Sequence, residues 1–187
     1  CAQECITSFP YSITRNEENL GSNGTFERLT MEAEGDLFAY CDQDDIWLPE
    51  KLTVLQKAME REQALVVCSD MYIIDSSGKQ VSDSLAKVRR HHVFRSGRDL
   101  AEGLLVSNFA AGCTMLVRAE SAKQAVPFCP YMVHDHYITL FCAARGMVYS
   151  SPEKTIRYRI HGGNQTGLMA GVTGKTSYGK EIGRAHV

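Results

Sequence analysis

The spacing of hydrophobic residues along the chain predicts a series of helices. Phe26, Leu29 and Ala33 recur at helical intervals until Gly35 interrupts the pattern. Similar runs, each stopped by a glycine or a proline or followed by a polar loop, recur further along the chain. The five predicted helices lie between residues 19 and 35, after Pro49 with Leu52, Leu55 and Met59 on one apolar face, from 99 to about 107, over 119–126 and over 134–146.

Short continuous apolar runs between these helices predict buried strands. The predicted strands cover residues 37–41, 64–75, 113–117, 147–150 and 155–160, with a hairpin turn after 75 that returns through Val81. Residues 83–98 are polar and basic, include His91 and His92, and are predicted to form an exposed loop. Since helices and strands alternate, we expect an α/β fold in which a mixed sheet is flanked by helices.

Composition narrows the class of protein without identifying it. The 187 residues suffice for one domain with a substantial core, and a net charge of −2 lacks the basic footprint of a nucleic-acid-binding protein. No run reaches the ~18 apolar residues of a membrane-spanning helix. The seven cysteines form no CxxC pair, which favours a reducing, cytoplasmic compartment over a disulfide framework.

Both ends of the sequence depart from those of a complete native chain. It begins at Cys1 without a visible signal peptide, and its last residues, EIGRAHV, read like the translation of a sequencing-adapter oligonucleotide. We therefore expect a fragment with one domain over residues 1–175 and a tail over 176–187 whose last residues are non-native.

Three carboxylates crowd the end of the strand predicted at 37–41. Asp42, Asp44 and Asp45 lie within four residues, and like charges so close together repel and resist desolvation. Carboxylates at i and i+2 after a strand can reach one hard cation, and Mg²⁺ takes its other ligands from water and phosphate oxygens. The alternative is a solvated loop in which Asp45 stabilises the start of the next helix.

Two other acidic motifs fit this cluster less well. Ile46 and Trp47 stand where a calcium EF-hand needs a ligand and a glycine, which excludes that site. An aspartyl-phosphate phosphatase also places Asp-x-Asp after a strand, but it expects Thr or Val where Ile46 stands and an acidic pair downstream. Only scattered candidates such as Asp70 and Asp75 exist, so the phosphatase stays as an alternative.

Three further segments carry residues suited to a substrate site. Asp135 falls in the first turn of a predicted helix, where the macrodipole favours an ionised carboxylate that can take a proton from a hydroxyl. Its alternative role is to stabilise that helix. His161 precedes two glycines that let the backbone approach a metal or phosphate, or it is an incidental surface residue. The small residues that follow Asn108 suit either a pocket floor or close packing.

Four runs in this order resemble a known family. DQDDIWLPEKL, NFAAGCTML, HDHY and YRIHGGNQTG are similar to those of family 2 glycosyltransferases of the GT-A fold, especially the rhamnosyltransferase-like branch that acts on bacterial polysaccharides. The first run is the most specific, and the resemblance covers roughly residues 13–167. It implies a GT-A-like mixed sheet flanked by helices.

The resemblance also implies a role for each candidate residue. Asp44 matches a ligand of a divalent cation, Mg²⁺ or Mn²⁺, that bridges the diphosphate of a nucleotide-sugar donor, and His161 matches a position near that diphosphate or metal. Asp42 matches a contact to the ribose or the metal shell, and Asp45 a supporting residue near the donor sugar. Asp135 stands where the family has its catalytic base. The residues that match the lining of the sugar and acceptor pocket are Asn108 and Gly112.

The implied reaction is a single displacement with inversion. An acceptor hydroxyl, deprotonated by Asp135, attacks the anomeric carbon while the cation stabilises the departing nucleoside diphosphate. The implied acceptor is a surface glycan on a lipid carrier, which places the protein at the cytoplasmic face of a membrane as a peripheral protein. The "TYN"-like and "DDGS"-like segments of the family are absent, so we expect an N-terminal truncation that omits the first strands. A non-catalytic glycan- or nucleotide-binding fragment remains the alternative.

Overall fold

The computed structural model of the chain describes residue 6 and residues 8–89 and 91–161. Helices α1 to α6 span Gly21–Glu32, Lys51–Glu62, Leu85–Val88, Ala101–Val106, Ala119–Gln124 and His134–Ala143. Strands β1 to β6 span Leu37–Phe38, Ile46–Trp47, Ala64–Ile74, Gln80–Ser82, Met115–Arg118 and Met147–Arg159. A 3₁₀ turn, Gly112–Thr114, leads directly into β5. The predicted glycine-rich turn at 162–167 and the tail at 176–187 lie outside the described residues.

The strands form one mixed sheet in the order β1-β5-β3-β6-β2, with β4 paired to β3. The two long central strands, β3 and β6, run parallel, and the other pairs are antiparallel. Helices pack on the sheet, so the predicted α/β fold with a mixed sheet flanked by helices is confirmed. This architecture agrees with the GT-A nucleotide-sugar transferase fold that the resemblance implies.

Successive residues of β3 point to opposite faces of the sheet, and each face packs against a different helix. Val66 packs with Ile138 of α6 on one face, whereas Val67 packs with Leu55 of α2 on the other. The nearly continuous apolar sequence of β3 is typical of a strand covered on both faces. The functional side chains therefore come from the loops at the ends of these strands.

Helix α2 buries a different face from the predicted one. Leu55 and Met59 are buried as expected, but Leu52 is 48% exposed and Lys51 is 1% exposed. Because Lys51 lies four residues before Leu55, the two side chains share a helix face, and a lysine occupies the place where an apolar residue was predicted.

The strands and loops differ from the predictions in three places. Residues 147–150 and 155–160 belong to one continuous strand, β6, which follows its parallel neighbour β3 across shifts in register. Ile46–Trp47 forms an unpredicted strand because both residues pair with β6. Residues 83–98 are not a simple exposed loop, since α3 forms there and the backbone N–H of Leu85 donates to Asp70 Oδ1 at 3.0 Å.

Helix length is also informative about membrane insertion. Across residues 8–89 and 91–161, no helix combines the length and apolar character needed to cross a membrane.

Candidate functional site

The loop between β1 and β2, residues 39–45, carries the three clustered carboxylates and is anchored to the end of β6. The backbone N–H of Arg159 donates to Asp45 Oδ1 at 2.9 Å, and Arg159 Nε donates to the Asp44 carbonyl oxygen at 2.9 Å. Arg159 Nη1 also reaches the carbonyl oxygens of Asp75 and Ser76 in the β3–β4 turn, at 3.2 and 3.3 Å. One residue therefore fixes the acidic loop against β6 and the hairpin.

Asp44 and His161 meet although they are far apart in sequence. Asp44 Oδ2 lies 2.7 Å from His161 Nε2, and both side chains are partly exposed, at 23% and 37%. A spacing of about 3 Å is also that of two neighbouring ligand atoms on one small divalent cation. The structure thus brings together the two predicted metal-binding residues at a position that solvent can reach.

Asp42 and Asp45 form a second carboxylate pair, beside the Cys113 thiol. Ligand atoms of the three residues all lie within 4.8 Å of one another. Burial raises the pKa of Asp45 to about 6, and burial followed by the charges of Asp44 and Asp135 raises the pKa of Asp42. Asp45 Oδ2 is buried and has no hydrogen-bond partner among the described residues. Such an arrangement favours the gain of a positive charge, either a proton or a cation.

Lys51 is a buried cation beside this pair. Its Nζ donates to the Cys113 carbonyl oxygen and lies 3.7 Å from the centroid of the Trp47 ring. Burial lowers the pKa of Lys51 to about 8, while the charges of Asp45 and Asp42 act in the opposite direction. Lys51 therefore offsets part of the negative charge of the cluster from within the protein.

Asp135 lies in the first turn of α6, as predicted, and three N–H donors hold its carboxylate. Gly112 N donates to Oδ2 at 2.9 Å, whereas Asn108 Nδ2 and the backbone N–H of His136 donate to Oδ1 at 3.2 and 2.5 Å. Asn108 is itself fixed by two hydrogen bonds to the backbone of Ala110. The Asp135 carboxylate is consequently oriented before any ligand binds.

Gly112 is required by the close approach of α6 to the 3₁₀ turn. A Cβ atom at position 112 would stand 2.7 Å from His134 Nε2 and 3.5 Å from Asp135 Cβ. The His134 ring cannot easily move away, because it stacks on Phe26 at 4.0 Å between centroids and its backbone N–H donates to Asn23 Oδ1 at 2.8 Å. A side chain at position 112 would therefore displace the turn or the start of α6.

The 3₁₀ turn joins the two groups into one site. Gly112 bonds to Asp135, and the next residue, Cys113, lies beside Asp42 and Asp45. The charge of Asp135 also raises the pKa of Asp42, so the two carboxylates are within electrostatic reach of each other. All seven predicted site residues lie in this region: Asp42, Asp44, Asp45, Asn108, Gly112, Asp135 and His161.

Three residues of the site were not predicted. The sequence pattern placed Cys113 and Arg159 only in predicted strands and Lys51 only in a predicted helix. The sequence does contain one indication that Lys51 lies near the carboxylates. A lysine in the first turn of a helix is placed unfavourably with respect to the helix dipole. Such a residue needs a negatively charged neighbour, and the preceding loop supplies three carboxylates.

Comparison with known proteins points to one protein family. The model described as glycosyl transferase family 2 matches residues 2–124. An uncharacterized glycosyltransferase of Nostoc sp. (strain PCC 7120) is 24% identical over 174 residues, covering 89% of this chain and 52% of that protein. Uncharacterized proteins of Mycobacterium bovis and Mycobacterium tuberculosis are 27% identical over 148 residues, covering 78% of this chain and 40% of theirs. The chain thus spans about half the length of these relatives, or less.

Proposed function

The chain belongs to glycosyl transferase family 2, and from this premise we propose that it transfers a sugar from a nucleotide-sugar donor to a hydroxyl group of a glycan acceptor. The observation that carries the proposal is the pairing of an acidic cluster with a separately oriented carboxylate. Asp44 lies against His161, and Asp135 stands across the 3₁₀ turn with its two oxygens held by N–H donors. Donor activation and acceptor deprotonation each need one of these groups.

A divalent cation, Mg²⁺ or Mn²⁺, fits the acidic side of the site. Asp44 and His161 are the residues that would hold it, with Asp42 and Asp45 close by. The test of this fit is Asp45 Oδ2, which is buried without a hydrogen-bond partner among the described residues, in a carboxylate next to Asp42 and the Cys113 thiol. A bound cation would supply Lewis-acid stabilisation for the negative charge of the diphosphate.

The residues of the chain supply the other steps. Asp135 accepts the proton of the acceptor hydroxyl, and its fixed orientation restricts the attack to one face of the donor, which gives inversion at the anomeric carbon. Asn108 and Gly112 hold Asp135 and line the acceptor side, while Asp42 and Asp45 contact the donor. Lys51 limits the repulsion among the carboxylates before the donor arrives.

The finer assignment extends the family resemblance. We propose rhamnose as the sugar and a growing, lipid-linked surface polysaccharide as the acceptor, with the protein acting at the cytoplasmic face of a membrane. The domain that carries this activity is residues 1–175. The glycosyl transferase family match favours this reaction over an aspartyl-phosphate phosphatase.

The test is cation-dependent turnover of nucleotide-activated sugars, rhamnose among them, followed as release of the nucleoside diphosphate. Asp44→Ala removes a proposed cation ligand, and we expect turnover at a fixed Mn²⁺ concentration to fall at least ~100-fold. Asp36→Ala is the matched control, because Asp36 is an exposed aspartate just before β1. Its turnover should stay within about twofold of that of the unmodified protein.

Two results would contradict the proposal. Normal turnover by Asp44→Ala, or turnover unaffected by a chelator, would remove the cation from the mechanism. Absence of turnover with every donor, together with saturable binding of nucleotide or glycan, would favour the non-catalytic binding module.

A further inference from the structure

A strongly basic segment borders the proposed acceptor side of the site. Residues 89–98 contain four arginines and two histidines and no acidic residue, in a chain whose net charge is −2. Among the described residues, no carboxylate forms an ion pair with Arg89, Arg95 or Arg98. No ion pair among the described residues therefore neutralises these three arginines.

Four residues of this basic segment line one side of a cavity of about 70 Å³: His91, His92, Val93 and Arg95. Arg95 and His92 line the cavity together with α4 and the residues that follow it, including Ser107 and Asn108. A Cβ atom on Gly103 would stand 3.1 Å from Arg95 Nη1, so the missing side chain at position 103 lets the guanidinium group lie close over α4. Arg95 is thus placed at the cavity, whereas Arg98, an exposed arginine of the same segment, does not line it.

His92 supplies a second polar group to the cavity. Its Nε2 atom is buried without a hydrogen-bond partner among the described residues, and its ring meets Phe94 edge to face at 4.5 Å between centroids. Burial, and then the charge of Arg89, lower the pKa of His92 to about 4, while Asp70 acts in the opposite direction. The imidazole is accordingly neutral near pH 7, and a buried ring nitrogen without a partner favours a ligand that provides one.

Asn108 connects this cavity to the proposed reaction. Its side chain lines the cavity, and its Nδ2 donates to Asp135 Oδ1 at 3.2 Å. A group bound in the cavity lies one side chain away from the carboxylate that is proposed to deprotonate the acceptor. The cavity is therefore placed to hold a part of the acceptor close to its reacting hydroxyl.

We propose that the cavity lined by His92, Arg95, Ser107 and Asn108 binds a small oxyanion carried by the acceptor, and so selects acceptors with a negative charge near the reacting hydroxyl. This inference rests on the proposed function. A guanidinium group, an imidazole and a hydroxyl can each donate to an oxyanion. A cavity of about 70 Å³ has room for several water molecules and suits a small group such as a phosphate or a carboxylate.

The experiment measures binding of inorganic phosphate to the protein by calorimetry, with acetate in a parallel arm and a chelator present to exclude phosphate held by a cation. Arg95→Gln should weaken phosphate binding about tenfold, because one charge-assisted pair of hydrogen bonds is lost. Arg98→Gln is the matched control, since it removes the same charge from the same segment without touching the cavity. A thermal midpoint for each variant shows that the fold is retained.

The outcomes separate this proposal from the proposed function. The proposal is supported if Arg95→Gln weakens phosphate or acetate binding, while Arg98→Gln and Asp44→Ala do not. The stronger of the two anions then identifies phosphate or carboxylate as the acceptor group. Lack of saturable binding of either anion, or equal weakening by the two arginine variants, would overturn it. Failure of the proposed function appears separately, as normal donor turnover by Asp44→Ala.

Discussion

Two carboxylates on either side of the same 3₁₀ turn have opposite surroundings. Both oxygens of Asp135 accept hydrogen bonds, from Gly112, Asn108 and the backbone of His136. Asp45 accepts a hydrogen bond from the Arg159 backbone and lies beside the Cys113 thiol, and its Oδ2 is buried without a hydrogen-bond partner among the described residues. The hydrogen bonds of Asp135 are thus supplied by the chain itself. Asp45 needs a positive charge nearby, and the chain supplies only part of it.

The difference agrees with the roles proposed for the two groups. A general base must be held at a fixed angle to its substrate before the reaction, and hydrogen bonds within the chain do this. A carboxylate beside the proposed cation and donor must instead keep oxygen lone pairs available, at a cost in stability when both are absent. Three substitutions would test this contrast.

The largest effect is expected at Asp135. Asp135→Asn keeps the shape of the side chain but removes the proton acceptor, so we expect sugar transfer to fall by about 10²- to 10⁴-fold. Cation dependence and donor binding should persist, because Asp44 and His161 are unchanged. Transfer rates and donor affinity measured on the same preparation check this. A variant that transfers at the normal rate would show that Asp135 serves only to hold α6 and the 3₁₀ turn together.

A smaller effect is expected at Lys51. Lys51→Met keeps the apolar stem but leaves the Cys113 carbonyl oxygen without its donor and the Asp42–Asp45 pair without this charge. We expect the free energy of unfolding to fall by about 2 kcal/mol in the absence of divalent cations. Added Mn²⁺ should restore part of the loss, since it brings positive charge to the same region. Denaturant unfolding with and without Mn²⁺ measures both changes.

The control for Lys51 lies on the same helix. Lys57 is exposed on α2, and Lys57→Met should change the free energy of unfolding by less than about 0.5 kcal/mol. Equal losses in the two variants would mean that Lys51 acts through the charge of the whole helix and not through the carboxylate pair.

The smallest effect is the pH dependence that Asp45 contributes. Its pKa in the folded chain is raised to about 6, so the folded chain keeps this proton to a higher pH than the unfolded chain, where the pKa is near 4. The contribution of Asp45 to stability is therefore greatest below about pH 4 and is lost as the pH rises to about 6. After solvent screening the loss is on the order of 1 kcal/mol.

The measurement is a difference between two stability profiles. His92 and His134 have lowered pKa values, and their contributions rise with pH over the same range, so the total curve alone is not decisive. Subtracting the profile of Asp45→Asn from that of the unmodified protein cancels the histidines and leaves the fall due to Asp45. A flat difference would show that Asp45 is already ionised and paired in the absence of a cation.

The sequence predicted the fold and the site where local patterns carry the information. The apolar run of β3, the helical spacing before Gly35 and the aspartate at the start of α6 are all readable within a few neighbouring residues. The acidic cluster after β1 was predicted for the same reason, since its repulsion indicates a missing positive charge.

The unpredicted features depend on contacts between distant residues. Lys51 meets Cys113 across 62 positions, and Arg159 meets Asp45 across 114. No local pattern states which strand lies beside which, so neither contact is visible before the sheet order is known. Ile46–Trp47 is a strand only because β6 lies next to it, and Leu85 is buried in part because Asp70 accepts a hydrogen bond from its backbone.

The contacts of Arg159 couple the position of the hairpin turn to that of the acidic loop. The same guanidinium group binds the carbonyl oxygens of Asp75 and Ser76 and that of Asp44, so a change in the length of the turn would be transmitted to the proposed cation ligand. The turn is largely exposed and contains none of the seven predicted site residues. A change in the length of this turn is therefore expected to alter the proposed cation site while every carboxylate of the site stays in place.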